Sequence, residues 1–476
     1  MKNTFYRYVF LLVALTSVLA ACQKFLDINV DPTLKGDASL RELLPPALFY
    51  TGEASYYQAF AACQYIQQIG SVLGPDGLDS QTQYDNSDGW HQFYLNTLPP
   101  INLMIGKGQS ENAPAYAGIA KILLAYNLGL VTVSWENVPY SQADQKNFAP
   151  AYDSQQSIYA SVQKLLQEGI EELQKSTGAK PGADDLIYAG DLSKWVKLAY
   201  TLKARFALHL SVKNPQQAAQ SALDAALKGF SSNADDFELN YNAKNLNPWY
   251  SRVALANSTG NFSVTHSATF IDMLKGRSPL KDPRLPKLAA LQNGHTEYQG
   301  AKPGEGTGAT VNFSTNSWHS NIRSPLEMAT YAEVKALEAE ARFILHGGTP
   351  NTKGTTAQGY AAYLEIINAN MKNMRIADDS IAAYLSNPLT DVGAANLTLS
   401  DILAEKNKAM FLNGDMWTDF RRYDYLNMSV PANLNVDLQG KFIQRFTYPA
   451  SETTRNSDAA KQNIKPINEK MWMFVK

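Results

Sequence analysis

Apolar residues recur every three or four positions through much of this chain, and the runs come in pairs. From Tyr331, "YAEVKALEAEARFILHGG" puts Tyr331, Val334, Leu337, Ala341 and Ile344 on one helical face, while Glu333, Glu338 and Glu340 fall mostly elsewhere. Gly347 and Gly348 mark its end, because glycine adopts the left-handed conformation that closes a helix. After a short polar loop, "AQGYAAYLEIINANMKNM" places Tyr360, Tyr363, Leu364, Ile367, Met371 and Met374 in phase. The spacing predicts an antiparallel hairpin. Helix, break, helix returns in "AYAGIAKILLAYNLGLVT" followed by "SQQSIYASVQKLLQEGIEELQKS", where Ile158, Val162, Leu165 and Leu173 share a face. It returns again in "DLSKWVKLAYTLKARFALHLSV" followed by "NPQQAAQSALDAALKGF". There Asp191 is placed to cap, and Trp195, Ala199, Leu202 and Phe206 make the face.

One hairpin cannot bury its own apolar face, so such pairs stack. With Ala and aromatic residues at the crossings they resemble tetratricopeptide-type hairpins, although long loops prevent a constant 34-residue period. Two irregular stretches interrupt them: residues 71–90, "SVLGPDGLDSQTQYDNSDGW", and residues 229–327, rich in Asn, Gly and Pro. Loops that long usually carry function or are disordered. Disordered segments are poor in rings, whereas these contain Trp249, Tyr250, Phe262, Tyr298, Phe313 and Trp318. They read as ordered and as the seat of function. The expected fold is mainly α: helix pairs supporting a loop-rich, ligand-facing half in a single large domain.

The apolar pattern differs at the start. Lys2 and Arg7 precede a mostly apolar run from Tyr8 to Ala20, which ends in Leu19-Ala20-Ala21-Cys22. Charge, apolar run and small residues in that order describe a secretory signal, and the run is shorter than the roughly 20 residues a spanning helix needs. No other apolar run looks long enough to span. Leu-Ala-Ala-Cys resembles a bacterial lipobox, which implies cleavage before Cys22 and lipid on its sulfur, with residues 1–21 as lipoprotein signal and 22–476 as the folded domain. Several acyl chains on one cysteine satisfy the requirement for stable anchoring. The other cysteine, Cys63, sits in the helix-spaced "YYQAFAACQYIQQIG" and reads as a small buried thiol, so no disulfide framework is expected.

Composition narrows the function classes. With 42 Lys and Arg against 44 Asp and Glu, the chain has no electrostatic reason to seek nucleic acid. It is rich in aromatics, with 25 Tyr and 7 Trp, many beside Asn, Gln, Asp and Ser. Such rings have an apolar body and a polar tip and suit half-wet surfaces.

Six segments in order then resemble the SusD/RagB outer-membrane lipoproteins of Bacteroidetes. They are "CQKFLDINVDPT" after the lipobox; "GLVTVSWENVPYSQA"; "LKDPRLPKL", with Asp282, Pro283 and Arg284; "YAEVKALEAEARFILHGG"; "LAEKNKAMFLNGDMWTDFRRYDY", with Trp417, Arg421 and Arg422; and "RFTYPASETTRN", with Arg445, Tyr448, Pro449, Glu452 and Asn456. The resemblance implies tetratricopeptide-like helices under an irregular ligand-binding half. It implies a lipid-anchored protein of the outer membrane, facing the exterior, that binds an oligosaccharide, or in some members a peptide. It also implies delivery of that nutrient to a SusC-like TonB-dependent transporter, by a binder and not an enzyme.

A glycan site wants a flat exposed ring with amides, carboxylates or Arg around it. Trp318 and His319 in "STNSWHSN", Trp249 and Tyr250 in "NLNPWY", and Tyr84 and Trp90 around the first loop are the candidates. A Trp opening a helix, as Trp90 does, is more often a core anchor. Trp417 and Arg421 share a helix face at i and i+4, where a guanidinium can lie on the indole, and structural pairing with Asp415 or Asp419 is the plainer reading. His209 in "FALHL" reads as a packed core histidine. No two of the six histidines have helix-borne metal spacing, and Gly304, Gly306 and Gly308 in "PGEGTGAT" lack the Lys-Ser/Thr of a phosphate loop. No cofactor is expected, although the acidic "PDGLDSQTQYDNSD" has oxygen donors of the kind structural calcium takes. A lipid-anchored glycoside hydrolase, or a structural helical-repeat scaffold, are the alternatives the residues leave open.

Overall fold

The computed structural model describes residues 38–75, 77–144, 147–175, 177–276 and 281–476. The signal segment and Cys22 lie outside the described residues, as does Asp76 of the acidic loop.

Helices dominate, as the periodicity predicts. Those that frame the fold are α1 (Leu40–Tyr65), α2 (Leu98–Ser110), α3 (Pro114–Trp135), α4 (Gln155–Leu173), α5 (Leu192–Leu208), α6 (Pro215–Ala226), α7 (Ala268–Lys275), α8 (Tyr331–Leu345), α9 (Ala357–Asn373), α10 (Leu399–Ala409) and α11 (Met416–Arg422). The three predicted pairs form, α3 with α4, α5 with α6 and α8 with α9, and they stack in that order through α4 on α5 and α6 on α8. The helix starts follow local chemistry. Ser39 and Glu42 make a reciprocal capping box on α1. Asp191 accepts from the Ser193 amide at 3.0 Å and so caps α5.

One apolar core extends from Leu40 to Phe474. α3 corrects one expectation: its 22 residues are long and apolar enough to cross a membrane. It lies instead in the centre of the protein, wrapped by α2, α4 and α5, which accounts for its all-round apolarity. Cys63 is a free, buried thiol.

The irregular half holds more regular structure than its sequence suggests. Residues 229–327 include a π-helical turn at Tyr250–Ala254, α7, and short strands. The eight described strands, β1 (Ile69–Ser71), β2 (Val138–Pro139), β3 (Tyr152–Asp153), β4 (Phe237–Leu239), β5 (Val264–His266), β6 (Ala290–Leu291), β7 (Val311–Asn312) and β8 (Leu326–Ala329), form antiparallel pairs β1–β5, β2–β3, β4–β8 and β6–β7. β1–β5 and β4–β8 join segments distant in sequence, and strands of two to four residues carry too little period-2 pattern to be read. The "PGEGTGAT" glycines are turn residues. Gly304 has φ +77°, and a Cβ there would lie 1.7 Å from the Ala432 carbonyl oxygen, so only glycine allows the two loops to touch.

Candidate functional site

The described segments that resemble family signatures fold into buried ion-pair networks. Arg284 donates to Asp282 at 2.6 Å and to Glu405 of α10 at 2.7 Å. Arg422 donates to Glu340 of α8 at 2.5 Å and also pairs with Asp419. Arg205 of α5 reaches Glu333 of α8 at 2.6 Å. Arg445 pairs with Glu136, and the Tyr448 hydroxyl donates to the Asn137 carbonyl at 2.8 Å. Arg421 lies 3.7 Å from the Trp417 ring centroid and donates to the Val133 and Gln444 carbonyls at 2.7 and 2.8 Å. It is Arg422, not Arg421, that takes Asp419. Burial pushes Arg421 down to about 9, so it stays cationic at neutral pH. His209 stands between the Asp415 carboxylate (3.2 Å) and the Tyr159 hydroxyl (2.9 Å), inside the core.

A half-open aromatic face forms elsewhere, where α1 meets the first loop and the π-helical turn. Tyr56 and Tyr57 are adjacent on α1, so their side chains leave the helix about 100° apart. Tyr56 goes inward and Tyr57 stays half-buried. Asn247 starts the second element: its side-chain oxygen accepts from the Trp249 and Tyr250 amides at 2.7 and 3.2 Å, and its amide donates to the Ser324 carbonyl at 2.8 Å. The turn it launches is π-helical, a form enriched at functional sites. It carries the half-buried Tyr250 and sends Arg252 over the Tyr56 and Tyr57 rings, 4.9 and 4.8 Å from their centroids. Glu53 of α1 fixes that guanidinium by accepting from it at 2.6 Å.

The third element is the loop before Trp90. Asn86, at φ 44°, caps the short Ser87–His91 helix by accepting from the Gly89 amide at 3.2 Å. This leaves Tyr84 half-buried and Asp88 exposed. Burial, then the nearby Asp88 and Asp85 carboxylates, push the Tyr84 hydroxyl up to about 12. Tyr57 is raised by burial and by Asp88 and is held back by Arg252. Both phenols are therefore neutral at physiological pH. The face offers two rings, a guanidinium with free N–H groups, and two carboxylates. That set stacks on C–H faces and exchanges hydrogen bonds with hydroxyls.

The candidates read from sequence divide. Tyr84 belongs to this face, and Tyr250 is half-buried at the start of the π-helical turn that carries Arg252. Trp249 lies beneath it, 1% exposed, with Tyr56 edge-on at 4.9 Å and Phe313 stacked at 6.1 Å, so its faces are taken. Trp90 is likewise closed in by Tyr94, Trp135 and Tyr448. His319 is buried near Phe411, and desolvation lowers it to about 4, so it is neutral. Trp318 stands in a second, half-buried group. Its indole N–H donates to Glu327 at 3.3 Å, and the exposed Arg375 lies 6.0 Å from its ring. Sequence reasoning missed Tyr57, Arg252 and Glu53. The available signals were the doubled tyrosine of "SYYQAF" on an otherwise apolar helix and the lone cation of "NPWYSRV". Among the described residues, no group of three or more His, Cys, Asp or Glu is arranged to hold a metal ion.

Comparison with known proteins agrees with the architecture. The profile of the SusD-like family, described as starch-binding and associating with the outer membrane, matches residues 43–449. A solved chitin-binding protein superposes with TM-score 0.75 at 23% identity, covering 91% of this chain and 99% of its own. A chitin-binding SusD homologue from Flavobacterium johnsoniae does so with TM-score 0.75 at 19% identity, covering 92% and 99%. A SusD/RagB family protein from Bacteroides thetaiotaomicron gives 0.72 at 22% identity, covering 92% and 99%. At these identities the structural likeness establishes the fold. No match among curated proteins is found.

Proposed function

This chain belongs to the SusD-like family, described as starch-binding and associating with the outer membrane, and on that premise we propose that it captures an oligosaccharide on the Tyr57–Tyr84–Arg252 face. The observation that carries the reading is the guanidinium of Arg252, held by Glu53 and set 4.8 Å from the half-buried Tyr57 ring, with Tyr84, Asp85 and Asp88 beside it. Sugar C–H faces lie on the two phenols, while Arg252 and the carboxylates take the hydroxyls. Tyr250 and Trp318 are further contacts, Trp249 packs on Tyr56 beneath the face, and Trp90 and His319 belong to the core. The protein binds and does not cleave. Residues 1–21 direct export, lipid on Cys22 holds residues 22–476 at the outer membrane facing outward, and the captured glycan passes to a SusC-like TonB-dependent transporter.

Two solved relatives are described as chitin-binding and the family as starch-binding. Chito- and malto-oligosaccharides are therefore the first ligands to titrate by calorimetry. Arg252→Ala and Tyr84→Ala should each weaken binding about tenfold or more, at the scale of a lost charge-assisted hydrogen bond or stacking ring. Melting temperatures should hold and no new reducing ends should appear. Wild-type affinity in both variants would rule this face out. Intact-mass analysis of membrane-extracted protein checks the diacylglycerol on Cys22, and affinity capture from membranes checks for a large β-barrel partner.

A further inference from the structure

Trp318 is joined to a pair of carboxylates that face each other across a strand pair. In the β4–β8 register Glu238 stands opposite Glu327, just past an irregularity between Phe237 and Glu238. Directly opposed residues have Cβ atoms about 4.5–5.5 Å apart. Both side chains are partly buried. One Glu327 oxygen accepts two donors, the Trp318 indole at 3.3 Å and the Asn373 amide, from the end of α9, at 3.0 Å. We propose that Glu327 is the positioning residue of Trp318, and that Glu238, by facing it, makes the setting of that ring and the carbohydrate affinity of its subsite depend on pH. This rests on the reading above that Trp318 touches the glycan.

No cation among the described residues pairs with the two glutamates, and a third carboxyl stands beside them. Asp236, at the base of β4, is itself raised by burial and then by the two glutamates; one of its oxygens accepts from the Tyr331 amide at 2.6 Å and the other has no hydrogen-bond partner among the described residues. Arg375 projects over the indole, not onto the carboxylates. From α5, Arg205 reaches the Met328 carbonyl at 2.8 Å but is committed to Glu333. Ser55 and Gln58 of α1 and Asn413 line the same small cavity as Glu327, and all three are uncharged. Burial raises both glutamates, and Glu327 raises Glu238 further, so the two titrate near neutrality, at about 7. An ionised acceptor strengthens an N–H···O bond roughly twofold. Above neutrality Glu327 therefore grips the indole, and below it the protonated carboxyl loosens the ring.

The test uses the folded domain with 5-fluorotryptophan, the Trp318 resonance being assigned with Trp318→Phe. That resonance should titrate with a midpoint near 7. Glu238→Gln should move the midpoint to lower pH by removing the facing charge, and Glu327→Gln should abolish it. Oligosaccharide affinity should rise about threefold to tenfold between pH 5.5 and 8 in the wild type, and the Glu327→Gln profile should be flat. A titrating resonance with pH-independent affinity would remove Trp318 from the glycan contacts while leaving Glu327 as its positioning residue. A Trp318 resonance that does not titrate, or whose midpoint ignores Glu238→Gln, overturns the proposal.

Discussion

Tyr56 and Tyr57 differ by one position on one helix and do different things. Tyr56 is 3% exposed, edge-on to Trp249, and its hydroxyl is driven far up by burial. Tyr57 is half-buried under Arg252. Truncating a large buried ring costs about 3–5 kcal/mol, so Tyr56→Ala should lower the denaturation midpoint sharply. Tyr57→Ala should cost under about 1 kcal/mol of stability, as partly exposed positions do, yet weaken glycan binding about tenfold. Urea melts paired with calorimetry separate the two effects. Equal losses of stability would mean that Tyr57 is core and the face is not built as described. The doubled tyrosine was visible in the sequence; which of the two turns outward depends on where Trp249 lands, 192 positions along the chain.

Among elements, glycines set how closely the helix pairs approach. Gly118 of α3 and Gly169 of α4 meet backbone to backbone, a Cβ on either lying 2.9 or 3.1 Å from the other's carbonyl oxygen. Gly129 of α3 admits the Phe206 ring of α5, with Cζ 2.2 Å from where a Cβ would be. Phe206 is 2% exposed and has little room to yield. Gly129→Ala should therefore destabilise by about 1–3 kcal/mol, the usual cost of overpacking, despite the better helix propensity of alanine. The shift in urea midpoint checks it, and an unchanged midpoint would mean the α3–α5 crossing is looser than described. The hairpins were legible because their apolar period is local. These crossings were not, since a glycine inside a helix reads only as a weak spot until its neighbour is known.

For the whole molecule, buried charge ties the helix pairs to the irregular half, and it divides into two sets with opposite pH behaviour. Cationic neighbours hold Asp282, Asp415, Asp419 and Glu405 below their ordinary carboxylate values. A depressed folded pKa contributes stability that is complete above the unfolded value, about 4, and lost as pH falls through the folded one. Glu238 and Glu327, raised to about 7, and Asp236, also raised, do the reverse. Between about pH 4 and 7 the folded state holds their protons and the unfolded state does not, so their contribution declines as pH rises. Stability should thus peak on the acid side of neutrality and fall steeply below about pH 4. Relative to wild type, Glu238→Gln should melt higher at pH 8, with the gap closing towards pH 5. Melting temperature against pH reads this out, and a wild-type maximum above pH 8 would contradict it.

The sequence by itself determined the α-helical pairs, their caps, the polar loops between them and the ordered series of segments that pointed to the SusD-like family. All of these are local patterns of three to twenty residues. It also marked Tyr84 and Tyr250 as rings in polar surroundings. Only the tertiary structure decided which rings are open. It sealed Trp249 behind Phe313 and Tyr56, closed Trp90 in with Trp135 and Tyr448, and brought Arg252 onto Tyr57 from a distant turn. Exposure and ion pairing are properties of pairs far apart in the chain, and no periodicity along one segment encodes what another will cover.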